Sequence, residues 1–111
     1  MSRRLPNYVR RLRKRAGLSQ NELAYLLGAR GEAKVSRYER FARRPSLNTA
    51  FGCEAVFGVA ASEIFAGMYG EVNRQVHRRA KRLLKRLSSK EAGSVERKVE
   101  FLQTLLGRTD K

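Results

Sequence analysis

Between residues 34 and 44 the chain carries Lys34, Arg37, Arg40, Arg43 and Arg44, interleaved with Val35, Tyr38 and Phe41 at a spacing of three. A guanidinium presents a planar fork of donors, which matches the oxygens of a phosphate or the edge of a guanine. Apolar residues at that spacing would turn inward on a helix and leave the cations outside. The chemistry on offer is therefore recognition of an anion, not the making or breaking of bonds. Groups suited to catalysis are poorly placed. His77 stands in a basic segment without a nearby acid in sequence, and Cys53 has no histidine close to it. The ten acids are scattered at capping and pairing positions, with no metal-ligand spacing, nucleophile elbow or phosphate loop. We expect no enzyme, no cofactor and no metal.

Charge narrows the class of partner. Among 111 residues, 25 are Lys or Arg and 10 are Asp or Glu, for a net charge of +15 and a pI near 11.2. Such self-repulsion is tolerated mainly when the partner is a polyanion. Nucleic acid comes first, because neutralising phosphates releases counterions, and an anionic membrane surface is the runner-up. Hydrophobic content of 41% suffices for a small core. The lone Cys53 allows no intramolecular disulfide and fits a reducing compartment, with a buried thiol as its reading. No window approaches the ~18 apolar residues of a membrane span, and the N-terminus lacks the apolar core of a secretion signal. We expect a cytoplasmic protein, at the bacterial nucleoid, without a membrane partner.

Few β-branched runs and only two prolines point to an all-α fold. The periodicity predicts a first helix over 7–15 with Tyr8, Val9 and Leu12 inward and Gly17 closing it. Ser19 and Glu22 have capping-box spacing for a second helix, whose stripe is Leu23, Ala24 and Leu27 and whose stop is Gly28. A third helix covers about 33–41. Pro45 stops the chain, and Ser46 caps a fourth helix over 47–57, with Leu47, Ala50, Phe51, Glu54 and Phe57 on one stripe. Glu54 then needs a partner, for which an arginine of the first helix is the candidate. Ser62 is expected to cap a fifth turn through Phe65. Two glycines in FAGMYG, residues 65–70, divide the chain into 1–68 and 69–111, with net charges of +8 and +7. The second part reads as a helix over 71–87, a turn at SSKEAGS, and a last helix with Val95, Val99, Leu102, Leu105 and Leu106 aligned.

The stretches LRKRAGLSQNELAYLLG and KVSRYERFARRPSL together resemble the Cro/phage-repressor (XRE-like) helix-turn-helix DNA-binding family, over roughly residues 7–65. The resemblance implies a five-helix lambda-repressor-like domain in 1–68, followed by a two-helix basic amphipathic extension in 69–111 that it does not cover. It implies that Ala24 is the small residue between helices two and three, and that Val35 plugs the core. Arg37 falls at the base-reading position, with Glu32, Ala33 and Lys34 at the groove-facing start of the third helix. Ser19 and Gln20 correspond to phosphate contacts at the start of the second helix. Arg30, Ser36, Arg40, Arg43 and Arg44 are further backbone candidates. Glu39 matches an acid that pairs with an arginine of the first helix, here Arg13. The turn from Gly28 to Val35 is one residue longer than the family's, and Gly31 suggests a positive φ and a close approach there.

These implications make double-stranded DNA the expected partner of a transcriptional regulator, in first place a repressor, binding as a homodimer. The extension either packs compactly, pairs with a second chain, or lays its basic arc on a polyanion. Two alternatives stand beside this: an antitoxin-like DNA-binding protein whose last helices hold a protein partner, and a non-specific nucleic-acid-binding protein.

Overall fold

The computed structural model describes residues 6–87 and 95–108, and every regular element in them is helical. The elements are α1 Val9–Ala16, α2 Gln20–Leu26, α3 Glu32–Glu39, α4 Leu47–Phe57, α5 Ala61–Ile64, α6 Ala66–Leu87 and α7 Val95–Gly107. The turn expected at 88–94 lies outside the described residues. The chain forms two compact units, Met1–Tyr69 and Gly70–Lys111.

The first unit is built around Val9, Leu23, Ala24, Val35, Cys53, Ile64 and Phe65, with Leu12, Leu27, Ala50 and Phe57 packed against them. Burying side chains of this kind stabilises by roughly 1.5–3 kcal/mol each. Burial also raises the pKa of the Cys53 thiol to about 11, so it stays protonated and unreactive. α1 and α2 end alike. Gly17 and Gly28 take left-handed φ of 77° and 75°, and the next residues, Leu18 and Ala29, donate back to Arg13 and Ala24 carbonyls. That is the Schellman closure, which uses carbonyls the helix leaves open.

Several expectations are corrected. Tyr8 lies outside, with its ring under the Arg11 guanidinium at 5.5 Å. On α4 the inward residues are Ala50, Cys53, Val56 and Phe57, while Leu47 and Phe51 are exposed. The stripe through Leu47 and the one through Cys53 overlap, and only tertiary packing selects between them. Glu54 is exposed and pairs with no arginine among the described residues: its Oε1 accepts the Ala61 amide at 3.0 Å. It thereby satisfies the start of α5, where Ser62 makes no cap and Ala60 is the N-cap. α6 starts at Ala66, so Gly67 and Gly70 do not interrupt it. Gly67 instead allows a close approach, donating to the Pro6 carbonyl at 3.1 Å. A Cβ there would fall 2.7 Å from the Pro6 ring.

In the second unit Ala80 and Leu102 are buried, while Val72, Val76, Leu83 and Phe101 stay exposed. No described helix is long and apolar enough to cross a membrane.

Candidate nucleic-acid interface

α2 begins with a complete capping box. The Ser19 hydroxyl accepts the Glu22 amide at 3.0 Å, and Glu22 Oε1 accepts the Ser19 amide at 2.8 Å. Two orphan donors at the helix start are satisfied in this way. The turn that follows is long because α2 closes with Gly28 and Ala29 before Arg30 and Gly31 lead into α3. Gly31 is the N-cap with φ −176°, extended backbone, and a Cβ there would meet nothing within 4 Å. The positive φ and close approach suggested for Gly31 are absent; the left-handed residue of this turn is Gly28. Arg30 is exposed.

α3 has two sharply different sides. Val35, Tyr38 and Glu39 are buried, whereas Glu32, Ala33, Lys34, Arg37 and Arg40 are exposed and Ser36 is half-buried. With 3.6 residues per turn, Ala33, Lys34 and Arg37 share one exposed face. Glu32, in the first turn, complements the positive end of the helix dipole.

The buried side is anchored by charge. Arg13 of α1 is forked onto Glu39, Nε to Oε2 at 2.5 Å and Nη2 to Oε1 at 3.0 Å. Its remaining Nη1 donates to the Leu18 carbonyl at 2.8 Å, and the Gln20 side chain donates to Glu39 Oε1 at 3.1 Å. One network thus joins α1, α2 and α3. The hydrogen bonds to Glu39 raise the Arg13 pKa above its ordinary value, against the opposing effect of burial. No buried side-chain nitrogen or oxygen among the described residues lacks a partner.

Asn7 was missed at the sequence level. Its Oδ1 accepts the Val9 amide at 3.0 Å and its Nδ2 donates to the Tyr38 carbonyl at 2.9 Å. From the position ahead of the Tyr8 N-cap it satisfies the first amide of α1 while tying that helix to the end of α3. The available signal was an Asn two residues ahead of the first helical residue, where its side chain can accept an amide two positions on.

The end of α3 is unusual. Phe41 takes φ 60°, its amide donates to the Tyr38 carbonyl, and the Ala42 amide donates to the Arg37 carbonyl at 2.8 Å. This repeats the closure of α1 and α2, with a phenylalanine at the left-handed position that favours glycine. Both Phe41→Ala and Phe41→Gly lose the ring, so their difference isolates the backbone. We expect the glycine variant to be more stable than the alanine variant by about 1 kcal/mol, the reverse of their order inside a helix. Urea unfolding of the two checks it; equal midpoints would mean the position holds no strain.

Arg40 folds back, its Nε 3.3 Å from the carbonyl and hydroxyl oxygens of Ser36. Arg43 and Arg44 are exposed in the segment before Pro45. Ser46 then caps α4, its hydroxyl accepting the Thr49 amide at 3.1 Å.

A family model described as a helix-turn-helix domain matches residues 4–61, more than half of the chain. The chain belongs to the helix-turn-helix domain family, of the XRE-like, Cro type. α2 and α3 are the helix pair of this domain, and a domain of this kind implies DNA as the partner. No curated protein and no solved structure matches the chain. Among the described residues no cluster of His, Cys, Asp and Glu is arranged to hold a metal.

Proposed function

We propose that this helix-turn-helix protein is a sequence-specific transcriptional regulator, a repressor that binds double-stranded DNA as a homodimer in the bacterial cytoplasm. The observation that carries the reading is the division of α3. Val35, Tyr38 and Glu39 lock the helix to its own domain, while Arg37, Lys34, Ala33 and Glu32 face outward. Such a helix enters the major groove with its first residues against base edges. There Arg37 would take guanine O6 and N7, Ala33 would touch a thymine methyl, and Glu32 would accept from a cytosine amino group.

The basic residues around it set position along the strands. Arg30 precedes α3, Arg40 extends from its end, and Arg43 and Arg44 follow it. Ser19, Gln20 and Ser36 offer short polar contacts beside them. Contacts of this sort fix register and orientation without carrying sequence information. Gln20 already holds Glu39, so its role in positioning acts through α3 as well as through a phosphate.

Selection of bound duplexes from a random pool tests the reading. We expect one enriched motif, present as an inverted repeat with half-site centres ~10–10.5 base pairs apart or a multiple of that. A pool that retains no preference at salt high enough to suppress non-specific binding would leave only a general nucleic-acid binder. The exposed Val72, Val76, Leu83 and Phe101 favour a second role for the extension, the holding of a protein partner by a DNA-binding antitoxin-like chain. A partner that co-purifies stoichiometrically would support it.

A further inference from the structure

The Gly70–Lys111 unit has a recess of its own. Asn73, Arg74, His77, Arg78 and Lys81 of α6 and Arg108, just past α7, line a hollow of about 420 Å³. No acid lines it, and among the described residues none of its four permanent cations forms an ion pair. His77 Nδ1 lies 2.9 Å from the Asn73 carbonyl, so that nitrogen carries the proton and Nε2 faces away from the bond. Four like charges brought together from two segments repel one another, and a bound anion lowers that repulsion.

We infer that Arg74, Arg78, Lys81 and Arg108 form a second contact for nucleic acid, one that grips backbone phosphates independently of α3. Guanidinium forks suit phosphate oxygens, which three of these four side chains can engage in pairs. The spread of the cations argues for a chain of phosphates over a single ion. From Arg74 to Lys81 the helix rises ~10 Å at 1.5 Å per residue, which matches about three phosphate-to-phosphate steps along one strand at 3.4 Å of axis each. The inference shares with the proposed function only the choice of nucleic acid as the phosphate source.

The test uses the full chain with all four cations changed to glutamine, R74Q/R78Q/K81Q/R108Q, which keeps the apolar stems. An equal-charge control, R79Q/R82Q/R97Q/K98Q, removes four cations that do not line the recess. Affinity for a duplex of arbitrary sequence is measured by fluorescence anisotropy from low to high salt, with circular dichroism confirming equal helix content. Each phosphate neutralised contributes ~0.9 to the slope of log K against log salt. We expect the slope of the recess variant to fall by about 3, and that of the control by less than about 1. Equal slopes for the two variants would overturn the inference, since net charge alone would then explain the binding. So would inorganic triphosphate that binds at matched ionic strength, is lost in the recess variant, and leaves the duplex slope unchanged. The two readings fail separately. A chain that selects no motif loses the role of α3 and keeps this slope difference; a slope unchanged in the recess variant, with motif selection intact, does the reverse.

Discussion

Arg13→Ala is expected to lower folding stability by about 3–5 kcal/mol, the cost of leaving a buried charge without its partner. The Glu39 side chain is only 3% exposed, and truncation of Arg13 removes two of the three donors on its carboxylate, leaving Gln20 alone. The Leu18 carbonyl loses its donor in the same step. Against a typical total of about 5–15 kcal/mol, this is a large share. Arg13→Lys keeps a charge and loses the fork, so it should fall between wild type and alanine. Replacing both partners, Arg13→Met with Glu39→Leu, should recover much of the loss, because no charge then stays buried. Recovery will be incomplete, since Gln20 and the Leu18 carbonyl remain without partners, each worth about 1–3 kcal/mol if it stays dry. Urea midpoints of the four chains decide it. A loss under about 1 kcal/mol for Arg13→Ala would place the pair among weak surface contacts. The sign of the pH effect also follows. The Arg13 pKa is raised in the folded state, so its contribution is fully present below its unfolded value and is lost only in strong alkali.

What could be read in the sequence was what depends on near neighbours. Ser19 with Glu22, Ser46 ahead of α4, and the glycines at 17 and 28 are local devices, each satisfying backbone groups within a few residues. Helix existence and type followed from them and from the apolar spacing. Properties set by distant parts of the chain were not legible. The inward face of α4 differs from expectation because Leu47, Phe51 and Cys53 are all acceptable core residues, and only packing into the cluster that holds Ile64 and Val9 selects among them. Glu54 looked like a buried charge for that reason, when it is an exposed cap on α5. Gly67 reads in sequence as one of two glycines that interrupt the pattern, yet it lies inside α6 and serves a contact with Pro6, sixty-odd positions earlier in the chain. Phe41 gave no sign of its left-handed backbone, since a phenylalanine carries none of the usual marks of that conformation. No periodicity links Arg13 to Glu39, 26 positions apart; a pairing across that distance enters from family resemblance, and its geometry from the fold.

Arg37→Ala should weaken binding to the selected motif by about 1–3 kcal/mol while changing non-specific binding little. The asymmetry follows from where α3 is held. Val35 and Tyr38, on either side of Arg37, are nearly inaccessible to solvent, and the Arg13 fork fixes Glu39 a half-turn further on. The exposed Arg37 therefore leaves a backbone that cannot roll, so its guanidinium meets a fixed place in the groove. A guanidinium reading a base carries discrimination; one resting on phosphate carries only charge. Arg37→Lys separates these contributions, because it keeps the charge and loses the bidentate fork, and so should lose most of the discrimination. Arg40→Ala is the contrasting variant. With its Nε drawn onto Ser36, Arg40 should act through charge, and its loss should lower affinity for all sequences alike, with about one unit off the salt slope. Competition between the selected motif and random duplex at several salt concentrations measures all three. If Arg37→Ala weakens every sequence by the same factor, base reading belongs elsewhere on α3, with Lys34 and Ala33 the remaining candidates on the same exposed face.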